Sequence, residues 1–113
     1  LELLESLDFL APSLYVNSTN ERHWRDFAAW QINECRRLSA AYGLNLPIIP
    51  FIGPQIHPSA GVGLISQVFW SNQFAWLERQ KCDGVVAWYS GPERTKALRP
   101  YMDIAVRAAA GNA

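Results

Sequence analysis

Tyr15, Asn17, Gln55, His57, Trp88 and Tyr89 are the side chains in this sequence best suited to hold a ligand. Tyrosine and tryptophan offer flat apolar area with a polar handle. Asparagine, glutamine and histidine add directed hydrogen bonds. That mixture fits a sugar, whose ring has apolar faces and hydroxyl edges. Tyr15 and Trp88 also read as caps on a hydrophobic core, and composition does not separate the two readings. His57 has the free pKa range of a general base, although a lone histidine in a proline-rich loop also serves as a packing or hydrogen-bonding residue. The catalytic residue is unknown from the sequence; Tyr15, His57 and Glu93 are the candidates.

Other chemistries lack their residues. Glycosidases use two carboxylates flanking the scissile bond. Glu21 and Glu93 fall in loops, and Asp8 and Asp83 open strands on the opposite side, so no clear pair forms. Ser13 and Ser90 have no nucleophile-elbow motif around them. Gly61-Val62-Gly63 lacks the rest of a phosphate-loop pattern. Two histidines without clustered carboxylates argue against a metal site, and no cofactor is implied.

The elements that would position these residues follow from three short apolar runs: Leu7–Val16, Leu46–Ile52 and Cys82–Ser90, with helix-like sequence between them. Strand, loop and helix in repetition is the pattern of parallel βα units. The expected fold is α/β, about three units of a (β/α)8 barrel in a single partial domain over 1–113, completed by oligomerisation or by sequence upstream. Strands are expected near 8–16, 47–52 and 83–89, and helices near 22–42, 64–81 and 95–110. Tyr15, Asn17, Gln55, His57, Trp88 and Tyr89 then lie at or just beyond carboxyl ends of strands, where function gathers in such folds. Pro12 is awkward inside a strand, Asn20 reads as a helix N-cap and Gly43 as a C-cap. The first helix carries a stripe of Trp24, Phe27, Ala28, Gln31, Cys35 and Leu38; the second is apolar on more than one face.

Composition excludes several classes. Ten basic and ten acidic residues leave no net charge, and without a basic stripe the chain is a poor nucleic-acid binder. No apolar run approaches the ~20 residues of a membrane span. Cys35 and Cys82 read as buried thiols. Asn17-Ser18-Thr19 is a glycosylation sequon only if the protein is secreted.

Pro12-Ser13-Leu14-Tyr15 and Gly84-Val85-Val86-Ala87-Trp88, with the proline-flanked run PIIPFI between them, resemble the C-terminal barrel segment of hyaluronidases and related glycoside hydrolases. The resemblance spans about residues 7 to 91. It implies that Tyr15 hydrogen-bonds a sugar, such as its acetamido group, and that Trp88 forms part of the floor of the cleavage subsite. The family's acid is a Glu two positions after an Asp, and this sequence contains no Asp-x-Glu. The resemblance thus implies a sugar-contacting part of a polysaccharide cleft whose acid is missing from this chain. The alternatives are a non-catalytic carbohydrate-binding module and a structural unit that self-associates. Expected partners are a carbohydrate and either a second copy or the remainder of a parent barrel. The compartment is unknown, and the resemblance favours an extracellular one.

Overall fold

The computed structural model describes residues 6–56, 63–88 and 95–111. Helix α1 (Glu21–Ala41) is followed by strand β1 (Phe51–Ile52), helix α2 (Gln67–Arg79), strand β2 (Val86–Ala87) and helix α3 (Thr95–Ala109). Helices of 21, 13 and 15 residues stand against two parallel strands of two residues each. The expectation of three βα repeats of a barrel is therefore contradicted: the domain is mostly helical, and among the described residues its sheet has two strands.

Proline accounts for the shortfall. A parallel ladder needs an N–H at every second residue, and proline has none. The segment ending at Val16 lies parallel to the one before β1, but touches it only through isolated bridges, Leu10 to Ile48 and Ser13 to Phe51. Leu10 N donates to Pro47 O (2.8 Å) and Leu14 N to Phe51 O (2.8 Å). Pro12 lies midway between them and donates nothing. Its carbonyl accepts from Phe51 N at 2.9 Å. Pro50 likewise accepts from Val86 N (2.9 Å), and Trp88 N reaches Ile52 O (2.9 Å). At the start of β2's segment a side chain replaces the ladder. Asp83 N donates to Ile48 O (2.9 Å), and Ile48 N donates to Asp83 Oδ2 (2.8 Å).

This bonding has a parity. Leu10, Pro12 and Leu14 turn their peptide groups inward, as do Val86 and Trp88. Phe9, Ala11 and Ser13 on one side, and Val85 and Ala87 on the other, face outward. Among the described residues their backbone groups have no partner.

The helices are set by local signals. Asn20 is the N-cap of α1, its Oδ1 accepting from His23 N at 3.1 Å. Gly43, at φ +67°, ends the turn after it. Ser66 caps α2 by accepting from Phe69 N (3.0 Å). The buried face of α1 is Trp24, Ala28, Ile32 and Ser39, and Phe27 of the expected stripe is exposed. Trp24 fixes that rotation by donating from Nε1 to Leu14 O (2.7 Å). In α2, Phe69, Trp70, Gln73 and Leu77 face inward and Val68 outward. Pro100 lies within α3.

The core joins Leu14, Val16, Ile48, Ile52 and Ile65 to these helix faces and to Tyr101 and Ile104. Two hydrogen bonds tie Tyr101 of α3 to α2 and to the chain just before it: Trp70 Nε1 donates to Tyr101 O (2.9 Å), and Tyr101 Oη donates to Ile65 O. Cys35 and Cys82 are free and half-buried rather than fully enclosed, and burial pushes both thiol pKa values up.

Candidate functional site

Tyr15 and Trp88 meet at the carboxyl ends of the two outer segments. Tyr15 follows Leu14, which is bonded to Phe51; Trp88 is bonded through its own N–H to Ile52. Their ring centroids lie 6.1 Å apart with planes at 56°, a tilted pairing of the kind aromatic quadrupoles favour. Gly53 closes the space between them. A Cβ there would lie 3.0 Å from Trp88 O and 3.4 Å from Tyr15 Cδ1, so any larger residue would press on both. Tyr15 is half-buried, whereas Trp88 is 51% exposed. An indole held at its backbone and by a neighbouring ring, yet half open to solvent, is a ready stacking surface.

Of the remaining predicted residues, Asn17 and Gln55 are described and follow the pair's segments closely in the chain. Asn17 is exposed in the bend two residues beyond Tyr15. Gln55, half-buried, lies two residues beyond Gly53, where the chain makes an antiparallel bridge to Leu64. His57, Tyr89 and Glu93 lie outside the described residues. Glu21, the other acid considered, is committed elsewhere: Arg25 Nη1 donates to its Oε2 at 3.0 Å, and Asn72 Nδ2 lies 3.3 Å from both its oxygens. Among the described residues no group of three or more His, Cys, Asp or Glu side chains is placed to hold a metal ion. Nor, among them, is any helix long and apolar enough to cross a membrane.

The strand-end rule points to Tyr15 and Trp88, but it passes over Gln73. That residue sits four positions after Phe69 and four before Leu77, both buried, so helical spacing places a polar amide on an apolar stripe. The signal is in the sequence: a glutamine in phase with the core is unusual, since buried polar groups are costly unless bonded.

No protein-family model matches this chain, and no curated protein matches it.

Proposed function

We propose that the chain binds carbohydrate through the Tyr15–Trp88 face, as a sugar-contacting unit akin to the hyaluronidase-like segment it resembles. The observation that carries this reading is the exposed indole of Trp88, fixed beside Tyr15 across Gly53. A pyranose laid on the indole gains apolar contact on its face, and in this reading Tyr15 and Asn17 meet its hydroxyls or an acetamido group. The reading is of binding rather than turnover. Of the two acids the sequence offers in loops, Glu21 is held by Arg25 and Asn72, and Glu93 lies outside the described residues. Titration with neutral, N-acetylated and uronate-containing oligosaccharides, followed by tryptophan fluorescence in a Trp30→Phe background, tests it. Trp88→Ala is expected to weaken binding by about fivefold or more, the equivalent of roughly 1 kcal/mol for one aromatic contact, and Tyr15→Phe by less. Unchanged fluorescence with every saccharide refutes the reading.

A second reading, self-association, is supported by the outward-facing backbone of both outer segments. An unpaired edge is a template for another chain, and here all segments run parallel, so the Val85–Ala87 edge of one copy suits the Ala11–Ser13 edge of the next. A groove of about 390 Å³ beside β2, lined by Phe74, Leu77, Val85, Ala87 and Ala105 among others, would receive apolar side chains from the neighbour.

A further inference from the structure

The register of the three parallel segments sorts their side chains onto two faces. Leu10 lies beside Ile48 and Ser13 beside Phe51; Phe51 in turn lies beside Val86, and Ile52 beside Ala87. Side chains alternate along extended chain. One face therefore carries Leu14, Val16, Ile48 and Ile52, with Val85 and Ala87 packed against them, and this is the face the helices cover. On the other face the residues fall into rows. Ser13, Phe51 and Val86 form the middle row. Tyr15, Gly53 and Trp88 lie on one side of it, in the contact already described. Ala11, Ile49 and Gly84 lie on the other, where a Cβ on Gly84 would sit 3.6 Å from Ile49 Cγ2.

Among the described residues, no side chain of this second face belongs to the core. Trp88, Phe9 and Val86 are 51%, 42% and 36% exposed, and no residue in the three rows is charged. A contiguous uncharged apolar patch of this kind marks an interaction surface. Its relief fits a second copy of itself. Ile49 and Phe51 make a ridge along the central segment, and the short side chains of Ala11 and Ser13 make a trough beside it. Two copies related by a two-fold axis can each lay the ridge in the other's trough, and no like charges are brought together. With roughly 200 Å² for a whole aromatic side chain, the exposed parts of the face come to about 500 Å² per copy. Two copies then bury about 1,000 Å² together, the lower bound for a specific interface.

We propose that two copies of this chain pack face to face through the Phe51–Val86 surface and form a closed dimer. Sheets joined in this way stand about 10 Å apart with their side chains interdigitated. The arrangement goes beyond the pairing of edges. Edge pairing is head to tail and continues from copy to copy unless a ring closes, whereas a face-to-face pair is complete at two. Trp88 lies at one end of the face, so a saccharide on its indole and a second copy exclude each other. The test is made without saccharide, and its failure leaves the carbohydrate reading untouched.

The experiment is light scattering on the full chain across a dilution series, where an assembly held by mass action loses mass as it is diluted. Mass is expected to rise to two copies and stop. Val86→Lys places a charge on the face and leaves the edge as it is, because the peptide group of Val86 is turned towards β1. That variant should raise the dissociation constant at least tenfold with its helical circular dichroism unchanged. In a mixture of isotope-labelled and unlabelled wild-type chains, filtered NMR spectra should show the Val86 methyls and the Phe51 ring touching the other copy. A chain that is monomeric at every concentration overturns the proposal, as does mass that grows past two copies or a dimer that Val86→Lys does not weaken. If Val86→Lys does not fold, the filtered spectra of the wild type decide: contacts between copies at Val86 and Phe51 uphold the dimer, and their absence refutes it.

Discussion

Gly53 shows how much one residue can decide. It has no need of an unusual backbone angle; what it supplies is the missing Cβ between a carbonyl and a ring. Gly53→Ala sets an atom 3.0 Å from Trp88 O, and a backbone atom gives way less readily than a side-chain tip. The expected cost is about 1–3 kcal/mol, the range for overpacking, measured by chemical denaturation. The same substitution should separate the two rings and diminish the near-ultraviolet circular dichroism they generate. If Gly53→Ala leaves both the unfolding midpoint and that signal unchanged, the close approach is not what pairs Tyr15 with Trp88. At this scale the sequence was readable in part. Tyr15 and Trp88 could be picked out because strand ends gather function; Gly53 could not, since nothing local reveals that two distant aromatics press on it.

At the scale of elements, the helices follow from their ends and the sheet does not follow from its runs. Asn20 and Ser66 each satisfy a free N–H in the first helical turn, and these short-range signals are visible to any reader of the sequence. Asn20→Ala and Ser66→Ala are each expected to lower stability by about 1 kcal/mol, with additive effects because the two caps belong to separate helices. A double variant no less stable than either single one would contradict that independence. The rotation of α1 was less legible. A stripe through Phe27 and Leu38 and one through Ile32 and Ser39 differ by a fraction of a turn. What chooses between them is the long-range bond from Trp24 to Leu14. The run LPIIPFI is as apolar as a buried strand, but Pro47 and Pro50 within it remove the donors that would extend a ladder. Hydrophobicity alone overstates the sheet because it does not count N–H groups.

Among the described residues the molecule has two sheet margins with little protection. Phe9, Val86 and Trp88 are exposed along them, and no lysine, arginine or glutamate interrupts 9–13 or 85–88. Proteins commonly guard such margins with charge or proline. Pro12 does not serve here, since its peptide group faces inward. If copies pair margin to margin, light scattering across a dilution series should show mass falling with concentration. Ser13→Lys, on an exposed outward-facing residue, should then leave a monomer with unchanged helix content. A chain that is monomeric at every concentration rules out this mode of assembly.

The stitch between α2 and α3 has a consequence for how the native state fluctuates. Ile65 precedes α2, Trp70 lies within it, and Tyr101 bonds to both, from its hydroxyl to one and from its carbonyl to the other. The tyrosine thus spans the first turn of α2 like a clasp. Detaching α3 exposes the indole N–H of Trp70 and the carbonyl of Ile65 together, both in a region with almost no water, and fraying α2 from its start releases Tyr101. Neither helix can open alone without leaving buried polar groups unmet. Excursions at this end of the molecule are therefore collective: the two helices breathe as one unit, and partial openings are suppressed in favour of rare, complete ones.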